Sequence, residues 1–360
     1  MEPRARLDTY LEDRGLAAVW FARPTSFAWL TGGDNFVDRH APIGVAAAGY
    51  DGDRVAVVTD NIEADRLATE ELSADVQLIE FPWYEGSLAQ MVAATTDTPA
   101  AADFSVPGLK SIEQNLRYHP LSESSVEQYR ELGSLVAKAV ETVCFEATPS
   151  ESERVVAARL RHKLAAHGID TSVVLVGSDA RVTDHRHYTP TETELGRYAL
   201  VSVTATRDGL YASMTRTVSF AEPEWLAKRH RVASQIQSTA LAATQATGRA
   251  DGTASDVFSA IQSAYAEMGY PDEWERHHQG GAAGYAGRTW IATPTLDTEV
   301  KLPMAFAWNP TVQGAKSEDT WLVTEDGFEC LTRTGDWETI SSPAVGFDLM
   351  LSHPTILRRG

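Results

Sequence analysis

The stretch Tyr198-Ala-Leu-Val-Ser-Val-Thr-Ala-Thr-Arg-Asp-Gly-Leu-Tyr-Ala-Ser-Met-Thr-Arg-Thr-Val-Ser-Phe220 is rich in β-branched residues on both sides of a turn signal. Residues 199–206 read as one strand, Arg207-Asp208-Gly209 as the turn, and residues 210–220 as the return strand of a β-hairpin. Side chains alternate along a strand, so Leu200, Ser202 and Thr204 share one face while Val201, Val203 and Ala205 share the other. Ser202 and Ser213 are expected to project from neighbouring strands onto one floor. Two serines in a hairpin are scaffold unless their surroundings carry chemistry.

Polar clusters lie on both sides of the hairpin. Asp184-His-Arg-His-Tyr188 precedes it, and an imidazole there can serve as general acid or base because its unperturbed pKa is ~6.5. His277-His-Gln-Gly-Gly-Ala-Ala-Gly284-Tyr-Ala-Gly-Arg288 follows it; this glycine-rich run lacks the Gly-Lys-Ser/Thr ending of a phosphate loop. Trp308-Asn309-Pro310 and Gly314-Ala-Lys-Ser-Glu-Asp-Thr320 come next.

Further out, residues 6–15 have helical spacing ending at Gly15, residues 16–21 form an apolar strand, and a helical stretch ends in Trp29-Leu-Thr-Gly-Gly33. Two paired strands are expected between residues 43 and 59. A helix over 62–72, a strand over 76–81 and a helix over 86–94 come next, with a surface loop or irregular edge over 95–107. This alternation predicts a small α/β domain, residues 1–120. Residues 121–360 form a second domain, with helices over 122–145, 149–168, 224–247 and 253–268, and a buried strand over 173–177.

The strand, the turn, Gly209-Leu-Tyr211 and Thr215-Arg-Thr217 resemble the hairpin of the pita-bread hydrolases, the family of aminopeptidase P, prolidase, methionine aminopeptidase and creatinase. Residues 314–332 resemble that family's closing signature, and residues 1–33 its amino-terminal pattern. The resemblance implies an α+β fold: a pita-bread carboxy-terminal domain preceded by a smaller creatinase-type α/β domain.

It also implies five metal-ligand positions, which here read Ser202, Ser213, Gly281, Asn309 and Glu318. Two hydroxyls, a glycine and an amide are poor substitutes for the anionic oxygens and imidazole of a dinuclear cage, so no metal and no cofactor is expected. By the analogy with creatinase, His187, His277 and Glu318 are the expected catalytic residues. Arg288 and Lys316 would hold a substrate carboxylate, with Asn309, Ser202, Ser213 and Tyr188 as further substrate contacts. The resulting expectation is a metal-independent hydrolase of a C–N bond in a small-molecule or short-peptide substrate. One alternative is a non-catalytic binding homologue. The other is a metallopeptidase with ligands displaced to Asp184, His185, His187, His277 and His278.

Hydrophobic residues make up 43% of the chain, and no run approaches the ~18–20 apolar residues of a membrane span. The start, Met1-Glu-Pro-Arg-Ala-Arg-Leu-Asp8, has no apolar signal core, so a cytoplasmic location is expected. A net charge of −19 argues against nucleic acid or anionic membrane as a partner. Only six of the 31 basic residues are lysine. An acidic, lysine-poor surface fits a salt-adapted cytoplasm, where screening shortens the reach of self-repulsion. Cys144 and Cys330 are too few for a disulfide framework. The resemblance further implies a homodimer in which the loop Asp34-Asn-Phe-Val-Asp-Arg-His40 reaches the partner.

Overall fold

The computed structural model describes residues 3–112 and 116–359. Its chain divides into two compact units, Met1–Ser122 and Glu123–Gly360.

The first unit is a six-stranded sheet with short helices: α1 Pro3–Arg14, β1 Ala18–Phe21, α2 Pro24–Thr31, β2 Ala46–Tyr50, β3 Val55–Asp60, α3 Ala64–Arg66, β4 Gln77–Phe81, α4 Leu88–Thr95, β5 Ala100–Ala102 and β6 Lys110–Ser111. The strand order is β4-β3-β2-β1-β5-β6. The helix expected over 62–72 breaks into α3 and a π-helical turn, Leu67–Glu71. The stretch 95–107, expected as a surface loop or irregular edge, is corrected in part. It holds β5, paired in parallel with β1 and buried at all three alanines. Alanine has little strand propensity, so its selection by burial leaves no local signal.

The second unit carries α5 Glu123–Glu146, α6 Glu153–Ala165, β7 Asp170–Ser178, α7 Asp179–Asp184, the hairpin β8 Tyr198–Arg207 and β9 Leu210–Ser219, then α8 Leu226–Arg249 and α9 Ala254–Glu267. Strands β10 Gly280–Ala283, β11 Met304–Trp308, β12 Thr311–Val312, β13 Ala315–Lys316, β14 Asp319–Val323 and β15 Phe328–Cys330 follow. The chain ends in β16 Thr339–Pro343, β17 Met350–Pro354 and β18 Leu357–Arg358. Two four-stranded sheets, β18-β9-β8-β7 and β10-β11-β14-β15, frame the unit.

The hairpin is one residue tighter than expected, because Arg207 pairs with Leu210. Asp208 and Gly209 form the turn with φ of 52° and 77°, the positive values a two-residue turn demands. The face carrying Val201 and Arg216 lies under α5. There the guanidinium of Arg216 donates to Glu141 of α5 through Nε at 3.2 Å and Nη2 at 3.0 Å. It donates to Asp319 of β14 at 2.9 Å and to the carbonyl of Thr332 at 2.9 Å. The Thr-Arg-Thr and Ser-Glu-Asp-Thr motifs are thus clasped together inside the core.

Two further core groups contribute to the response to acid. Burial, reinforced by Arg358 and Arg216, pushes His230 down to about 4. Burial and Arg333 push His353 down to about 3. Both stay neutral when folded yet take up protons near the ordinary ~6.5 when unfolded, so their contribution is present above that pH and lost as pH falls toward the folded values. Each group steepens the loss by roughly 1.4 kcal/mol per pH unit. In urea unfolding between pH 6.5 and 5, His353→Gln is expected to lose stability less steeply than the parent by about that slope; parallel curves would contradict the assignment.

Candidate active site

The other face of the hairpin is a hydroxyl floor. Pairing of Ser202 with Thr215 and of Thr204 with Ser213 sets four hydroxyls side by side. Ser202 Oγ lies 2.8 Å from Thr215 Oγ1, and Thr204 Oγ1 lies 2.9 Å from Ser213 Oγ. Thr215 Oγ1 donates to Glu318 Oε2 at 2.7 Å, so it accepts from Ser202, which in turn accepts from Tyr188 at 3.0 Å. Burial raises the Tyr188 phenol and keeps its proton in place, which gives the relay one direction.

Glu318 sits at the centre. Its Oε1 accepts from Arg288 Nη2 at 3.0 Å, and its Oε2 accepts from Lys316 Nζ at 2.7 Å. Burial works against the charge, yet Lys316, Arg288 and Thr215 together hold the carboxyl down at about 2. Arg288 also donates through Nη1 to Ser213 Oγ at 3.0 Å. The sequence placed Arg288 and Lys316 as free hooks for a substrate carboxylate. Instead both are already bonded to Glu318, and what remains is an excess of one positive charge.

Above this floor is a cavity of about 230 Å³, lined by His187, His277, His278, Ser202, Thr204, Arg288, Asn309, Lys316 and Glu318 on its polar side. Val173, Leu175, Val203 and Ile291 form its apolar side. His187 lies on the loop after α7, and His277 follows the 3₁₀ turn Glu273–Arg276. Their Nε2 atoms are 3.3 Å apart. Burial, then Lys316 and the two neighbouring imidazoles, push His277 down to about 2. Arg186 is ion-paired with Glu273, which ties the loop of His187 to the turn before His277. Buried Asn309 Oδ1 and Arg288 Nε have no partner among the described residues.

Three expected residues stand elsewhere. Tyr188 is buried in an apolar cluster with Leu175, Val182 and Leu200, and braces the floor from below without lining the cavity. Ser213 is buried beneath Arg288 and does not line the cavity either. Gly281, in β10, faces a wall: a Cβ there would meet the Trp290 carbonyl oxygen at 2.1 Å. No side chain fits at that position. Sequence reasoning missed Thr204, Thr215 and Glu141, because a hydroxyl's bonding partner is fixed by strand register and a buried carboxylate's by packing. His278 it weighed only as a displaced ligand.

The five positions that hold metals in the resembled family do not fit a dinuclear centre here. Gly281 offers no donor, Ser213 is shielded, and each oxygen of Glu318 already accepts from a cation.

Residues 127–325 match the model of metallopeptidase family M24. The Xaa-Pro dipeptidase of Pyrococcus furiosus is 21% identical over 351 residues, covering 91% of this chain and 97% of the relative. Among solved structures, the prolidase of Pyrococcus horikoshii superposes with a TM-score of 0.76 at 18% identity, over 93% of this chain and 99% of that one. The amino-terminal domain of the FACT complex subunit SPT16 from chickpea superposes with a TM-score of 0.65 at 13% identity, over 93% and 97%. The chain therefore belongs to metallopeptidase family M24, with the pita-bread fold of the Xaa-Pro peptidases.

Proposed function

We propose that this chain is a hydrolase that cleaves the C–N bond of a small amino-acid-like or short-peptide substrate without a dinuclear metal centre. Its family membership supports a peptidase-family hydrolase; the observation that carries the finer reading is the saturation of Glu318 by Arg288 and Lys316. A carboxylate held near 2 by two cations is a poor proton acceptor at neutral pH, so Glu318 serves here as the anchor of the cations. His187 is the group left to take a proton from water and return it to the leaving nitrogen. Neutral His277 stands beside it. Arg288 and Lys316 stabilise the oxyanion that develops on the substrate. Asn309 Oδ1, buried and without a partner, accepts from a substrate N–H.

The test is turnover of chelator-treated protein against N-acyl amino acids, Xaa-Pro dipeptides and guanidino acids. Turnover of at least one class, unchanged by chelator, is the expected result. Activity that appears only after manganese or cobalt is restored would overturn the proposal.

A further inference from the structure

The mouth of the cavity gathers three imidazoles. The nearest ligand nitrogens of His187, His277 and His278 all lie within 4.8 Å of one another. We propose that these three histidines form a binding site for a single late first-row divalent ion, Zn(II) in the first instance, at a place unrelated to the family's ligand positions. Occupancy would switch off the hydrolase described above.

The geometry carries the argument. Two imidazole nitrogens at 2.0–2.1 Å from a tetrahedral zinc stand about 3.4 Å apart. The Nε2 atoms of His187 and His277 are 3.3 Å apart. Without an ion, that pair is joined by one N–H donating to the other ring's lone pair. An ion takes the place of that shared proton once the donating ring moves it to Nδ1, and both lone pairs are then used. His278, with its ring 4.3 Å from that of His277 and on the solvent side, completes a three-point set by a side-chain rotation.

The backbone is already held for this. Arg186 pairs with Glu273 on one side. On the other, Gln279 Nε2 donates to the His277 carbonyl at 2.5 Å, and Gln279 Oε1 accepts from Tyr265 at 2.8 Å. An all-imidazole set without carboxylate selects zinc, copper or nickel over magnesium or calcium. The excess positive charge of Arg288 and Lys316 over Glu318 repels a cation, so affinity in the micromolar range is expected, weaker than for structural zinc. With its lone pair committed, His187 has nothing left to accept a proton, which is why occupancy and turnover exclude each other.

Titration of chelator-treated protein with zinc chloride by calorimetry, and with cobalt chloride by visible absorption, tests the site with no substrate present. One equivalent and the absorption of four- or five-coordinate cobalt are expected, with affinity falling at least tenfold in His278→Ala. Zinc is expected to suppress the parent's turnover while leaving the turnover of His278→Ala close to that variant's own metal-free rate. Equal zinc affinity in His278→Ala and the parent would overturn the proposal, and so would only octahedral, aquo-like cobalt absorption. Because binding is read without turnover, an inactive protein that binds zinc would refute the hydrolase reading and leave this site standing.

Discussion

Replacing Arg216 with methionine is expected to lower the unfolding free energy by about 3–5 kcal/mol, the cost of breaking a buried ion cluster by removing one partner. Arg216 is 2% exposed, and its guanidinium bonds two carboxylates on different elements, Glu141 on α5 and Asp319 on β14. Methionine fills much of the same volume, so the loss is electrostatic and not a cavity effect. Burial already pushes the Asp319 carboxyl up, and without Arg216 nothing of comparable strength opposes that burial. Among the described residues, Glu141 then keeps its neutral donor Thr334. The triple change Arg216→Met, Glu141→Gln and Asp319→Asn removes both stranded charges and is expected to recover at least half of the loss. Urea unfolding at neutral pH measures each quantity. A single-variant loss below about 1 kcal/mol would place the cluster in the class of surface pairs and remove it from the account of this core.

His187→Ala is the second large effect. The ring is exposed at the mouth of the cavity, so the substitution is expected to change stability by less than about 0.5 kcal/mol while turnover falls 10²–10⁴-fold, the usual contribution of one positioned acid–base group. KM should move little, because the cations and Asn309 hold the substrate. Circular dichroism and steady-state kinetics on one preparation separate the two effects. Turnover within threefold of the parent would dismiss His187 from the chemistry.

The features read correctly from the sequence are those written locally. The β-branched runs around Asp208-Gly209 specify the hairpin, and the order of its motifs along the chain was enough to recognise the family. Ser202 and Ser213 do share a face, as a period of two requires, although on a diagonal with Thr215 and Thr204 as their direct partners. What was not legible depends on contacts far apart in sequence. Nothing near residue 216 announces Glu141, 75 positions earlier. Nothing near residue 318 says that Arg288 and Lys316 will both be bonded to Glu318. The inward turn of Tyr188 follows from the apolar space beside Gly177, where even a Cβ would meet the Tyr188 ring at 2.5 Å. A strand of three alanines carries no pattern at all.

The contact between Gly281 and the Trp290 carbonyl also limits redesign. Placing two aspartates, a histidine and a glutamate at positions 202, 213, 281 and 309 would not build a dinuclear centre, because a side chain at 281 strikes main chain that cannot rotate away. The segment around Trp290, tied to β10 by hydrogen bonds from Thr289 to Ala282 and from Ala292 to Gly280, would have to retreat first. Any redesign of this floor toward an imidazole donor at 281 therefore has to begin with the main chain of 289–292 and not with the side chains.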